Sequence, residues 1–171
     1  MTGAAKELPA ILEANQAYAS AFDKGALEIP PARPVLVLTC IDARLDPARM
    51  LGLEIGDAHV LRNAGGRATG DAIRSALISS WLLGTREYLV IHHTDCGMTK
   101  FTDDVLHGMI RDATGVDVSD DEYLAFSDVD QSVRDDVARL RDVKTLPEGV
   151  TVAGLVYDVR TGELREVEPA A

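Results

Sequence analysis

Two periods of apolarity alternate along the chain. Between Glu7 and Asp23 the apolar residues Ile11, Leu12, Tyr18 and Phe22 recur at helical spacing, with Pro9 near the first turn, which predicts an amphipathic helix. Pro30, Pro31 and Pro34 then make residues 26–34 an extended connector, because proline fixes φ and lacks an N–H. Val35-Leu-Val-Leu-Thr39 is apolar without a break. A continuous run of this kind suits a strand covered on both faces, as in a parallel sheet. Ala58–Arg62 is a second, shorter strand candidate, Tyr88–His92 a third and Val150–Tyr157 a fourth. Residues 70–83 read as a helix with Ile73, Leu77 and Trp81 on one stripe, Thr69 or Asp71 as its cap and Gly84 just past its end. Arg160–Glu163 reads as a turn into a last short strand, Leu164–Val167.

Strands alternating with helices predict an α/β fold, a central mostly parallel β-sheet flanked by helices. Residues 102–146 break that rhythm. They are polar and rich in Asp, with helical stretches near 102–112 and 129–142 around an acidic loop, Val118–Glu122. No internal repeat is visible. A length of 171 residues suits one domain and needs no disulfide to hold a core. Against 17 basic residues stand 28 acidic ones, a net charge of −11. That balance argues against a nucleic-acid footprint and against docking on an anionic membrane. No apolar run approaches the ~18 residues of a spanning helix. The start, Met1–Glu7, lacks the apolar stretch of a secretory signal. The expectation is an acidic cytoplasmic domain.

The cysteines change the picture from fold to chemistry. Cys40 directly follows the first core strand, and Cys96 lies in His92-His93-Thr94-Asp95-Cys96-Gly97, just past the third. In an open parallel sheet, groups beyond the carboxyl ends of the strands face one crevice, where sites form. Two thiols and an imidazole can therefore converge although Cys40 and His93 are far apart in the chain. A Cys2His set is borderline soft, and zinc is the metal that fits it best. Three protein ligands leave a fourth position for water, whose pKa zinc lowers toward ~7. Two thiolates cancel the charge of the cation, so a small neutral electrophile meets no repulsion. Two other readings stand beside this one: buried cysteines and a core histidine that serve packing alone, and a transient redox pair, weakened by the absence of a C-x-x-C.

Cys40-Ile-Asp42-Ala-Arg44 puts a carboxylate two residues from a candidate ligand. Asp42 can take the fourth metal position itself, or pair with the fork of Arg44 and leave that position to water. A solvated surface ion pair is the plainer alternative. Arg62-Asn-Ala-Gly-Gly66 permits a tight turn after the second strand, and no phosphate-binding glycine motif is present.

Taken in order, Cys40-x-Asp42-x-Arg44, Arg62-Asn63-Ala64-Gly65 and His93-Thr94-Asp95-Cys96-Gly97 resemble the β-class carbonic anhydrases, in their compact bacterial form. The resemblance is close over roughly residues 33–100. Gly154–Asp158 and Thr161-Gly162 look like the family's last strand and turn. The resemblance implies a single zinc-dependent domain over 1–171, with a helical arm at 1–30 and a helical insertion at 102–146. It implies Zn2+ on Cys40, His93 and Cys96, with Asp42 as fourth ligand only in a closed state and Asp42 and Arg44 as the gating pair. It implies reversible hydration of carbon dioxide to bicarbonate and a proton by attack of zinc-bound hydroxide, with Gly97 and Ala64 contacting substrate. Self-association as a homodimer or tetramer is implied too. Some members hydrolyse carbon disulfide or carbonyl sulfide with much the same ligands, and a non-catalytic zinc-stabilised module is a third reading. Two departures concern the pocket. Pro30–Pro34 lacks the Gln of plant-type members, and His59 stands where they carry an aromatic residue; it reads first as a polar residue near the end of a strand, with a proton shuttle as the alternative. His92 and His107 are read as structural or surface residues.

Overall fold

The computed structural model describes residues 5–168. Five strands form one sheet: β1 (Val35–Cys40), β2 (His59–Asn63), β3 (Glu87–His93), β4 (Thr151–Tyr157) and β5 (Leu164–Glu166), in the order β2-β1-β3-β4-β5. The first four run parallel and β5 closes the edge antiparallel to β4. All six residues of β1 are buried, as its unbroken apolar run requires.

Five helices accompany the strands: α1 (Leu8–Ser20), α2 (Pro47–Leu51), α3 (Gly70–Leu83), α4 (Asp103–Thr114) and α5 (Val129–Arg141). Leu36 and Leu38 of β1, Tyr88 and Val90 of β3, and Val152 and Val156 of β4 share one face of the sheet. There they pack with Ala72 and Ala76 of α3 and with Val133, Val137 and Leu140 of α5. On the other face, Val35, Val37 and Ile91 meet Met50, Leu51 and Leu53 from α2 and the turn after it. The chain thus leaves β1 toward one edge and β3 toward the other. A crevice opens between their carboxyl ends at that reversal.

Gly154 on β4 lets α5 approach, since a Cβ there would overlap Val133 and press on Val137. The 102–146 segment, read from sequence as an insertion, therefore supplies a helix that covers β3 and β4. Its acidic loop is held by Asp103, whose carboxylate accepts from the backbone N–H groups of Tyr123, Leu124 and Ala125.

One expectation is corrected. Helix α3 rests on Ile73, half-buried against the core, but not on Trp81 of the same stripe. Its buried residues are Ala72, Ala76, Ser79 and Ser80, while Trp81 is 63% exposed and donates its Nε1–H to Thr145 O. Fully buried Tyr88 fills the space beneath. Its hydroxyl donates to Ala76 O and meets Ser80 Oγ, so small side chains give the helix its close seat. The cap and stop are as read: Thr69 accepts from Ala72 N, and Gly84 turns left-handed. Helix α1 forms as read, with Pro9 in its first turn, and buries none of its residues in this chain.

Candidate metal centre

Cys40 closes β1 and His93 closes β3, while Cys96 follows a bend at Asp95, where φ is +52°. That bend returns the chain toward β1. One ligand atom from each of Cys40, His93 and Cys96 lies within 4.8 Å of the others, and all three residues are buried. The two sulfurs are 4.0 Å apart and not bonded. A tetrahedral zinc with Zn–S bonds of ~2.3 Å would set its sulfurs about 3.8 Å apart, so the pair fits with little movement.

The neighbouring histidines are sorted by the two-residue period of the strand. His92 faces α5 and His93 faces the crevice. His93 Nδ1 donates to Thr94 O at 2.9 Å, which leaves the lone pair on Nε2. Nε2 is the one buried side-chain nitrogen or oxygen without a hydrogen-bond partner among the described residues. An orphan of this kind is costly unless something binds it. Asp42 Oδ2, at 3.7 Å, is too far for a hydrogen bond. The donor set and the orphaned nitrogen both fit a zinc ion.

The thiols behave as a pair. The Cys96 S–H bonds to Cys40 and, against the effect of burial, holds the Cys40 pKa down to about 4, while the same contact pushes Cys96 up. Burial opposes a charged His93, but the nearby Cys40 sulfur outweighs it and raises its pKa. The cluster is a trap for positive charge, and a divalent cation would displace its shared proton.

Asp42 and Arg44 lie at the mouth. Asp42 Oδ1 accepts from Arg44 N and Nε, each at 2.9 Å, and Oδ2 accepts from Nη2 at 2.8 Å. That grip, chiefly the side-chain bonds, holds the Asp42 carboxyl far below its ordinary range. Beside them, Arg62 donates to Cys40 O and Asp42 O at 2.9 and 2.7 Å, fixing the path between ligand and carboxylate. Ala64 begins the turn just past β2, and Gly97 directly follows Cys96; both are exposed at the crevice side of the sheet.

His59 is not at this mouth in its own chain. The parallel register pairs Cys40 with Asn63 and leaves His59 level with Leu36, four residues or about 13 Å back along the sheet. There its Nδ1 meets Ser79 Oγ at 2.7 Å. His107 is on the surface, with Nε2 at 2.8 Å from Asp121 O.

Sequence reasoning missed a second layer behind the centre. Gly66, with φ +72°, lies so close to β1 that a Cβ would stand 3.0 Å from the Thr39 carbonyl carbon and 3.1 Å from Cys40 N. Its turn is tied to α5. Arg67 Nε donates to Asp136 Oδ2 at 2.6 Å, and Ala68 N donates to Asp136 Oδ1 at 3.1 Å. His92 Nε2 faces Gly66 O at 3.2 Å and Asp136 Oδ2 at 3.3 Å, so that nitrogen carries the proton and Ser132 Oγ donates to Nδ1. The signal was in the sequence: Val133, Asp136, Val137 and Leu140 form one helical stripe, and an aspartate on an apolar stripe calls for a buried partner.

A family model described as carbonic anhydrase matches residues 35–164. Beta-carbonic anhydrase 1 of Mycobacterium tuberculosis is 45% identical over 155 residues, covering 91% of this chain and 94% of that protein. A carbon disulfide hydrolase of Saccharolobus solfataricus is 36% identical, covering 81% of this chain and 79% of that one. Among solved structures, the carbonic anhydrase of Streptococcus mutans superposes with a TM-score of 0.92 at 43% identity, over 97% of this chain and all of that one. Likeness in sequence across most of both chains, joined to likeness in fold, makes this protein a member of the β-carbonic anhydrase family.

Proposed function

We propose that the protein interconverts carbon dioxide and bicarbonate at a zinc ion held by Cys40 Sγ, Cys96 Sγ and His93 Nε2. The observation that carries this reading is the buried, unpartnered Nε2 of His93 beside two thiols 4.0 Å apart. Zinc on three protein ligands lowers the pKa of a bound water to about 7 and so supplies hydroxide at neutral pH.

The chain's own groups do the rest. Asp42 has two uses. It is near enough to take the fourth position and close the site. Gripped by Arg44, it stays off that position and would accept a hydrogen bond from solvent at the mouth, orienting that solvent toward the substrate. Arg44 decides between the two. The N–H of Gly97 and the backbone at Ala64 are our choice for substrate contact, because they flank the ligand-bearing strand ends.

Carbon disulfide hydrolases share the scaffold, but the greater identity and coverage of the mycobacterial carbonic anhydrase favour carbon dioxide. The whole chain is one working unit in this reading. Its α1 docks on a second copy, giving a dimer or tetramer, which agrees with 44–59% exposure of Leu8, Ile11, Leu12, Tyr18 and Phe22. Unbonded thiols agree with a cytoplasmic location.

Stopped-flow hydration of carbon dioxide by the zinc-loaded protein, from about pH 6 to 9, is the test. No rate above buffer overturns the reading. Sulfide release from carbon disulfide without carbon dioxide hydration selects the hydrolase. Inactivity toward both, with zinc bound, selects the non-catalytic module.

A further inference from the structure

Arg44 has a second carboxylate partner. Its Nη1 donates to Asp95 Oδ2 at 3.0 Å, and its Nη2, already bonded to Asp42 Oδ2, also donates to Asp95 O at 2.9 Å. Asp42 takes the Nε edge of the guanidinium and Asp95 takes the Nη1 side. The two carboxylates use different N–H groups, so they hold the fork together and do not compete for it. The fork cannot swing away from Asp42 without breaking both contacts to Asp95. Lys100 Nζ sits 2.9 Å from the other oxygen, Asp95 Oδ1, and offsets part of its charge.

The backbone makes this bridge possible. Asp95 and Leu124 are the two non-glycine residues with positive φ among those described. At Asp95 the left-handed bend delivers Cys96 toward Cys40 and brings both the carbonyl and the carboxylate of residue 95 to Arg44. Asp and Asn are the side chains that accept this conformation best after glycine.

We propose that Asp95 is a positioning residue that braces Arg44 against the carboxylate of Asp42, and that Lys100 weakens this brace by sharing Asp95. This rests on the reading of Asp42 and Arg44 as the pair that closes or frees the fourth metal position. Removing the Asp95 charge releases one side of the fork, so Asp42 spends more time on the metal. Removing Lys100 leaves Asp95 wholly to Arg44, so Asp42 spends less. Arg44 and Asp95 are 45% and 47% exposed in their side chains, so solvent limits each change to about two- to fivefold in the ratio of closed to open sites.

The test uses protein loaded with cobalt(II) in place of zinc, whose visible absorption reports whether a carboxylate or solvent holds the fourth position. Asp95→Asn keeps a side chain suited to the bend and the carbonyl contact, and it is expected to raise the carboxylate-ligated fraction. Lys100→Gln is expected to lower it. Carbon dioxide hydration should follow, with kcat falling in the first variant and rising or holding in the second. Loss of fold alone would not move the two spectra in opposite directions. Arg44→Ala separates the two levels of the argument. If it shifts the spectrum toward the carboxylate form while Asp95→Asn does not, the brace is overturned and the pair stands. If Arg44→Ala also leaves the spectrum unchanged, the reading of the pair falls with it.

Discussion

Replacing Asp136 by Asn removes one charge from the most deeply buried ion pair in the described chain. Asp136 is 2% exposed in its side chain and Arg67 11%. Asn keeps the shape and an acceptor for Ala68 N, but its amide NH2 then faces the N–H donors of Arg67 and His92, and the guanidinium loses its counter-charge. Breaking a buried pair from one side costs roughly 3–5 kcal/mol. Arg67 retains its bond to Leu124 O and its place 5.4 Å from the centre of the Phe126 ring, so the lower end, about 3 kcal/mol, is expected. For a chain of this size that is a fall in Tm of about 6–12 °C.

The pH dependence has a fixed sign. Burial pushes the Asp136 carboxyl up, but hydrogen bonds from His92 and Arg67 outweigh it and hold its pKa below the ordinary value. Its stabilising effect is therefore complete above about pH 4, the unfolded value, and fades as pH falls through the folded one. Calorimetry of both zinc-loaded proteins should show a gap that is constant near neutrality and narrows below about pH 4. Their metal sites are the same, so acid loss of zinc largely cancels in the difference. Arg67→Met with Asp136→Leu should recover part of the loss, because no charge is then stranded. A gap under about 1 kcal/mol at pH 7, or one that widens on acidification, would refute the reasoning.

Three further outcomes follow from the site. Arg44→Ala should keep zinc by elemental analysis and lose roughly 10–100-fold in carbon dioxide hydration near neutral pH, the usual cost of losing a residue that orients a group at the metal; an unchanged rate contradicts its role. Cys96→Ala should bind less than about a tenth of the zinc and lose thermal stability, because ligation and folding are linked; full zinc occupancy removes Cys96 from the ligand set. Gly66→Ala forces a side chain into positive φ against the backbone of Thr39 and Cys40. It should cost about 1–3 kcal/mol, or about 2–12 °C in Tm, and a wild-type Tm would show that the turn can move.

The strand runs, the helix caps at Thr69 and Gly84, and the order of the three motifs could be read from the chain, because each depends on neighbours in sequence. Apolar runs of period two or none define strands, and special backbone angles need special residues. Cys40, His93 and Cys96 were legible for the same reason: each falls at or just past the end of a strand whose limits were visible. What the sequence left open depended on distance through space. The seat of α3 on Ala72, Ala76, Ser79 and Ser80 follows from the bulk of Tyr88 beneath it. The removal of His59 from the mouth follows from register, since a strand's position relative to its neighbour is not written in either strand alone. Likewise Asp95 meets Arg44, and Asp136 meets Arg67, only once the strands have paired and α5 has crossed back over them. Local sequence sets which groups can bind a metal or carry a charge. The sheet order decides which of them meet, because only closure of the long connections pays the entropy of bringing them together.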